Sequence, residues 1–499
     1  MSFSTEGVLS KQGTQTTRLH EAIDPALRAH PGESGFYALE NGREAFAARA
    51  LLAAAAQVSI DVEYYIWRRD STGYLLFEAL WDAAERGVRV RLLLDDNNTA
   101  GLDETLVALD AHKNIEVRLF NPLRHRRARW INYVLDFRRV NRRMHNKSFT
   151  VDNEVCVVGG RNIGDEYFDA SSEVMFADLD VMAVGPIAAE VAGNFDLYFG
   201  SESSHPVQSL FGKARGGEIQ RLKSTFAKAH SAPGSVQYLE ALRDTGLLTE
   251  LGEGRLGLEW AHARLVSDDP RKVLHEQPPR DLLMLPRLLQ LTGQARVQFD
   301  LISPYFVPAI TGTKDLAQLA RQGVRVRVLT NSFASTDVAV VHAGYAKRRK
   351  ALLGAGLEIY EVKPVESERR VRDPPIRQLQ VTAGGSRVSS SASLHAKTFE
   401  IDGRYVYVGS FNFDPRSAYL NTEMGLLLDS PQLARRLNSF FETQVPAHSY
   451  RVRLDGQGRV QWVEKGSGGE RSHDVEPHTT AFQRAVVALI AMLPIDWLL

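Results

Sequence analysis

Two segments of the chain carry the same set of chemically capable residues at the same spacing. Residues 145–162 read HNKSFTVDNEVCVVGGRN and residues 395–412 read HAKTFEIDGRYVYVGSFN. Both fit His-x-Lys-x4-Asp-x6-Gly-(Gly/Ser)-x-Asn without a gap, which marks a duplicated half-site. Imidazole serves as nucleophile or proton donor near neutral pH. A lysine is a cation that can hold a phosphate, and an asparagine adds neutral donors. Facing each other, the half-sites would place His145, His395, Lys147, Lys397, Asn162 and Asn412 around one phosphate. One imidazole attacks phosphorus and the other protonates the leaving alkoxide. A second oxygen nucleophile then resolves the phosphohistidine. No metal or cofactor is expected, because a lysine beside each histidine repels a divalent cation and already supplies the charge it would bring.

The spacing requires strands. Side chains alternate along an extended chain, so His145 and Lys147 share a face, as do His395 and Lys397. Phe149, Val151, Phe399 and Ile401 suit buried strands. Asp152-Asn153 and Asp402-Gly403 read as turns, and apolar strands follow at 155–158 and 405–408. These end in Gly159-Gly160 and Gly409-Ser410, where backbone can approach an anionic group closely. Asp178 and Glu423 form a further pair. Each lies eight residues before a proline and heads an apolar strand expected to run beside its own catalytic strand. A carboxylate there can fix the tautomer of a histidine.

The repeat extends beyond these strands. VSIDVEYYIW (58–67) matches VQFDLISPYFV (297–307), RGVRVRLLLDD (86–96) matches QGVRVRVLTNS (322–332), and IEVRLFNP (115–122) matches LEIYEVKP (357–364). Helical stretches lie between them. The pattern predicts an α/β fold of two lobes, each a mixed β-sheet flanked by helices, related by a pseudo-two-fold axis with the active site between them. The expected divisions are an N-terminal segment 1–34, a first lobe 35–203, a connector 204–254, a second lobe 255–447 and a C-terminal tail 448–499.

These segments resemble the phospholipase D superfamily, and within it the C-type bacterial cardiolipin synthases. DVEYYIW (61–67), NRRMHNKSFTVD (141–152), GGRNIGDEYF (159–168), SPYFVP (303–308), SLHAKTF (393–399) and GSFNFDPRSAYLNTEMG (409–425) carry the likeness, which spans nearly the whole chain. The resemblance implies phosphatidyl transfer to phosphatidylglycerol, with phosphatidylethanolamine or a second phosphatidylglycerol as donor. It implies catalytic roles for the two His-Lys-Asp sets (Asp152 and Asp402 included), with His145 as nucleophile, and acids used as described for Asp178 and Glu423. It also implies a peripheral place on the cytoplasmic face of the bacterial inner membrane, and it allows for an accessory protein. The same phosphohistidine chemistry serves a lipase or a nuclease of the superfamily. A scaffold that kept only the fold is disfavoured by two intact motifs.

The chain has 499 residues, with 60 basic and 60 acidic side chains. That length accommodates several cored domains, and the balanced charge gives no bias toward nucleic acid, which is not an expected partner. A lone Cys156 in an apolar strand gives no disulfide framework and reads as a small buried residue. No apolar run is long enough to span a bilayer, so membrane contact is expected to be peripheral. Two segments suit it. Residues 124–143 hold eight arginines and one aspartate interleaved with Trp130, Ile131, Tyr133, Val134, Leu135 and Phe137. They read as a basic surface for anionic headgroups, although arginines with aromatics equally suit single-stranded nucleic acid. The end of the chain, AFQRAVVALIAMLPIDWLL, reads either as an interfacial helix or as a terminal helix docked on the core. Residues 365–390, polar with Pro-Pro and Gly-Gly, read as a loop leading into the second motif.

Overall fold

The strands of the first half are β1 (Ser34–Leu39), β2 (Ser59–Tyr64), β3 (Arg89–Asp95), β4 (Ile115–Phe120), β5 (Ser148–Val151), β6 (Val155–Gly159), β7 (Asp180–Val184), β8 (Ser204–Pro206) and β9 (Glu259–Ala261). Those of the second are β10 (Ala263–Ser267), β11 (Gln298–Ile302), β12 (Arg325–Asn331), β13 (Glu358–Val362), β14 (Thr398–Ile401), β15 (Tyr405–Gly409), β16 (Met424–Asp429), β17 (Ser449–Leu454), β18 (Val460–Gly466) and β19 (Gly469–His473). The computed structural model describes residues 16–126, 128–168, 178–214, 216–336, 338–364, 394–466 and 469–493. The loop expected at 365–390, Arg127, and the terminal Pro494, Trp497 and Leu499 lie outside the described residues.

Two mixed sheets result, ordered β8-β4-β3-β2-β5-β6-β7-β1-β9 and β10-β16-β15-β14-β11-β12-β13-β17-β18-β19. In each, three parallel strands (β2, β3, β4; β11, β12, β13) adjoin the antiparallel pair that carries the motif. Parallel strands need long crossovers, here the helices Ser71–Glu85 and Ala309–Arg321 among others. Asn41 and Asp70 accept backbone N–H groups at the starts of helices Gly42–Ala55 and Ser71–Glu85, as N-caps do. Register repeats with the sequence. Val62 pairs with Phe149 and Leu301 with Phe399. In the adjoining strands Arg91 grips Asp61 and Arg327 grips Asp300 with both carboxylate oxygens engaged. A buried pair of this kind holds register, since leaving either charge alone costs about 3–5 kcal/mol.

The two sheets meet through one shared core. Cys156, Val158, Val181 and Ala183 of β6 and β7 pack with Val406, Val408, Leu426 and Leu428 of β15 and β16. Burial pushes the Cys156 thiol up to about 12, consistent with an inert apolar filler.

The structure moves three expected divisions. The connector is not a spacer, because Leu222, Phe226, Tyr238, Leu247 and Leu251 join the apolar core of the first lobe. Residue 255 is not the crossing point, because β9 pairs with β1 and the chain changes sheets between Ala261 and Ala263. The tail does not begin at 448, because β17 pairs with β13 and carries β18 and β19 outward from the second sheet. All three reflect burial that short amphipathic segments do not announce by composition.

Candidate active site

The chain enters each motif from a fixed point. The backbone N–H of Met144 donates to Asp95 Oδ2 (2.8 Å), and that of Leu394 donates to Asn331 Oδ1 (3.2 Å). Asp95 and Asn331 occupy the same place at the ends of β3 and β12, so the residue before each histidine is pinned in the same way. Asp95 also takes Arg143, with Nε to its two oxygens at 2.9 and 3.0 Å. Lobes interlock here as well. His145 N donates to the carbonyl of Thr422, and Thr422 N donates to that of Arg143, both at 2.9 Å.

The structure brings His145, Lys147, His395, Lys397, Asp178 and Glu423 together. Each acid reaches the histidine of the other lobe. His145 Nδ1 donates to Glu423 Oε2 (2.8 Å), and His395 Nδ1 donates to Asp178 Oδ2 (2.7 Å). This corrects the expectation that each acid strand runs beside its own catalytic strand. β6 separates β7 from β5, and β15 separates β16 from β14, and the acids point across the interface. Reciprocal contacts of this form are what a two-fold relation requires. With each Nδ1 held by an acid, Nε2 is the nitrogen of each ring turned away from that acid.

Each lysine turns back onto its own motif. Lys147 Nζ donates to the carbonyl of His145 (2.6 Å), and Lys397 Nζ to that of His395. Ring edges flank the histidines, with Tyr65 4.9 Å from His145 and Tyr167 5.2 Å from His395 between centroids. Asn162 is buried, and its side-chain oxygen accepts from Ile66 N (3.1 Å), leaving the amide to donate. Asn412 is buried at the equivalent place after β15.

The glycines act differently from expectation. A Cβ at Gly160 would lie 2.3 Å from Asp178 Oδ1, and one at Gly409 would lie 2.4 Å from the carbonyl of Met424. These positions admit the neighbouring acid-bearing strand rather than an anion. Where the first lobe has Gly160, the second has Ser410, whose hydroxyl donates to Glu423 Oε2 (2.5 Å).

Asp152 and Asp402 are not brought to the histidines. They sit at the far ends of β5 and β14, the former roughly 13 Å along the strand. Both adopt positive φ in the expected turns. Asp152 accepts from the N–H groups of Gln57, Val58 and Ser59, and Asp402 from those of Arg296, Val297 and Gln298. They tie the turn to the start of β2 or β11, which corrects the catalytic role expected for them. Asp152→Ala is expected to destabilise the fold by about 1–3 kcal/mol, through unpaired amides, while the remaining folded enzyme keeps its turnover within a few-fold. Denaturant melts paired with active-site titration check this.

The electrostatics differ between the two halves. Burial, with Lys147 and Lys397 adding to it, holds His145 well below the usual imidazole value. Burial and Lys397 also lower His395, against the pull of Asp178. Burial alone would raise Asp178, but the His395 ring beside it outweighs that and keeps the carboxyl below its ordinary range, hence ionised. Glu423 is raised to about 7, chiefly by burial, and Lys147 is lowered to about 7 for the same reason.

The arginine-rich stretch departs from the basic surface expected of it. Arg126 pairs with Asp96 and Asp103, Arg139 with Asp136, and Arg143 with Asp95, while Arg129 and Arg142 donate to backbone carbonyls. Only Arg124 and Arg138, among the described arginines of the stretch, are largely exposed. Long cationic side chains near buried acids are drawn inward, which local composition does not reveal. Asp95, Asn331, Tyr65 and Tyr167 were missed by sequence reasoning. The aligned repeats LLLDD and VLTNS held a signal for the first two, an acceptor at one shared position.

Two stretches, residues 50–197 and 288–445, match the family described as "Cardiolipin synthase, PLD-like domain". Cardiolipin synthase C of Escherichia coli (strain K12) is 47% identical over 483 residues, 97% of this chain and 100% of that protein. An uncharacterized protein of Helicobacter pylori is 30% identical over 486 residues, 96% of this chain and 92% of that one. Among solved structures, phosphatidylserine synthase of Haemophilus influenzae Rd KW20 superposes with a TM-score of 0.54 at 13% identity, covering 86% of this chain and 91% of that chain. That likeness concerns the fold.

Proposed function

The chain belongs to the cardiolipin synthases with a phospholipase D-like domain, and on that premise we propose that it moves a phosphatidyl group from phosphatidylethanolamine, or from phosphatidylglycerol, to a second phosphatidylglycerol. The carrying observation is the pair of crossed His–acid contacts, which hold each ring by its Nδ1 and assign the chemistry to Nε2 beside Lys147 and Lys397.

His145 Nε2 attacks phosphorus, and the bond from phosphorus to the headgroup oxygen breaks. His395 gives its Nε2 proton to that oxygen, and ethanolamine or glycerol leaves. The now neutral His395 takes a proton from a hydroxyl of phosphatidylglycerol. That oxygen attacks phosphorus, the N–P bond breaks, and cardiolipin forms with His145 restored. Lys147, Lys397, Asn162 and Asn412 stabilise the charge that builds on the phosphoryl oxygens. A bound phosphodiester adds negative charge, which offsets the lysines and raises the affinity of both rings for protons. The working place is the cytoplasmic face of the inner membrane, held peripherally. Among the described residues no helix is long and apolar enough to cross a membrane.

Mass spectrometry of products from vesicles holding each donor, alone and with phosphatidylglycerol, tests this reading. Cardiolipin plus free ethanolamine, formed in the presence of a chelator, is the expected result. Phosphatidic acid alone would replace transfer by hydrolysis, and restoration of a chelated enzyme by a divalent ion would overturn the metal-free mechanism.

The pH profile follows from the same site. Protonated His145 has no lone pair for attack, so the rate falls as pH drops through its pKa. Because that pKa lies well below 6.5, the acid limb of kcat/KM on a dispersed short-chain substrate is expected below 6.5. The alkaline limb of kcat/KM follows loss of the His395 proton, whose pKa is itself lowered from the imidazole value, and then of the Lys147 proton near pH 7. The kcat profile should lie at higher pH, since bound phosphate favours both protonated forms. An acid limb at or above 6.5 contradicts this.

A further inference from the structure

The short helix Trp130–Leu135 is amphipathic the wrong way round for a soluble protein. Its polar side chains face the body of the lobe. Asn132 exchanges two hydrogen bonds with the backbone of His125 at 2.9 Å, and the Tyr133 hydroxyl donates to Asn97 Oδ1. Just before the helix, Arg129 Nη1 donates to the carbonyls of Asp96 and Asn97. Its apolar side chains face out, with Trp130, Val134 and Leu135 68–70% exposed. Exposed Arg124 and Arg138 flank them.

The second lobe offers a matching surface. Helix Ala481–Ala491 docks one face on Phe333, Ala339 and Ala343 through Val487, with Ile490 and Ala491 packed alongside. That satisfies the docked-helix reading of the tail, yet only for half of the helix. On the other side Phe482, Leu489 and Met492 are 58–74% exposed. The helix contains no acidic residue.

Placement decides what covers these faces. Residues 121–144 leave the end of β4 and lead into His145. Phe333 and Ala339 follow the end of β12, the end of the second sheet at which His395 enters β14. Both apolar faces therefore rim the ends of the sheets that meet at the histidines. We infer that Trp130, Val134 and Leu135 together with Phe482, Leu489 and Met492 form a two-part wedge that seats the active-site mouth on an anionic lipid bilayer.

Such short helices reach only the boundary between headgroups and acyl chains, where tryptophan is favoured. Each alone holds weakly, and two acting together hold stably. Arg124, 4.0 Å from Asp136, and Arg138, paired with Glu276, are 75% and 77% exposed, and such surface pairs hold weakly enough to exchange for anionic headgroups. The inference rests on the reading of a lipid phosphodiester as substrate and deepens it by fixing how the enzyme is oriented.

The test uses the full chain and vesicles of phosphatidylethanolamine with 30% phosphatidylglycerol, the latter acyl-brominated in one arm. Two variants are compared with wild type, Trp130→Ser/Val134→Ser/Leu135→Ser and Leu489→Ser/Met492→Ser. Each is expected to lose at least 10-fold in vesicle partition and in turnover of vesicle lipid, and to keep turnover of a short-chain phosphatidylglycerol below its micelle concentration. Brominated lipid should quench wild-type fluorescence more than that of Trp130→Phe. Wild-type partition in both variants, or equal quenching, overturns the wedge. So does a dimer of the wild type that these substitutions dissociate, which would assign the faces to a second copy. Failure of the substrate reading looks different: vesicle binding would depend on these residues while no cardiolipin formed.

Discussion

His145→Ala and His395→Ala are each expected to lose about four orders of magnitude or more in turnover, and the double variant to lose little beyond the worse single one. Non-additivity follows from the division of labour. Without His145 there is no covalent intermediate, so a competent acid has no leaving group to serve. Without His395 the headgroup must leave as an unprotonated alkoxide, and the acceptor hydroxyl has no base. His145 is buried and His395 half-buried, and each makes a hydrogen bond across the lobe interface, so circular dichroism and denaturant melts must accompany the rates. The outcome that sinks this reading is a folded single variant retaining a tenth of wild-type activity.

Asp178→Asn and Glu423→Gln are expected to differ, with the aspartate change the more harmful. Asp178 is ionised beside His395 and stabilises the imidazolium that the general acid must become. Its amide replacement removes that charge and can reverse the tautomer, with a loss of about 10³–10⁴-fold. Glu423, raised to about 7 by burial, is half protonated at neutral pH, and glutamine resembles that form. It still holds the ring of His145, which attacks as a neutral group. The loss should therefore be smaller and should narrow as the assay pH falls below 7. Measuring kcat for both variants between pH 6 and 8 checks this, and equal losses across the range would show that the two halves do not divide the work.

The parts of the site that sit on regular strands were legible beforehand. A period of two puts His145 with Lys147 and His395 with Lys397 whatever surrounds them, and the second copy removed coincidence. Acids Asp178 and Glu423 were legible as a pair by their distance from a proline. Their crossing was not, because spacing along the chain says nothing about which lobe a side chain faces once two sheets pack together. Asp152 and Asp402 were misread because the motif keeps them beside catalytic residues in sequence, while four strand residues carry them to the other end of the sheet. The arginines of 124–143 were misread because the acid partners of Arg126 and Arg143, namely Asp95, Asp96 and Asp103, lie 23 to 48 residues upstream, and that of Arg138, Glu276, lies 138 residues downstream. A charge run reads as solvated until the fold supplies its counter-ions. Strands β17–β19 gave no signal because they alternate only partly and lie at a sheet edge.

Rapid quenching during turnover, followed by peptide mapping, reports most directly on the two-lobe mechanism. A phosphatidyl adduct on the peptide containing His145 is expected, accumulating in His395→Ala when supplied with a donor whose leaving group needs no proton, and absent from His145→Ala. An adduct on His395, or full turnover of vesicle lipid with no adduct on either histidine, would contradict it.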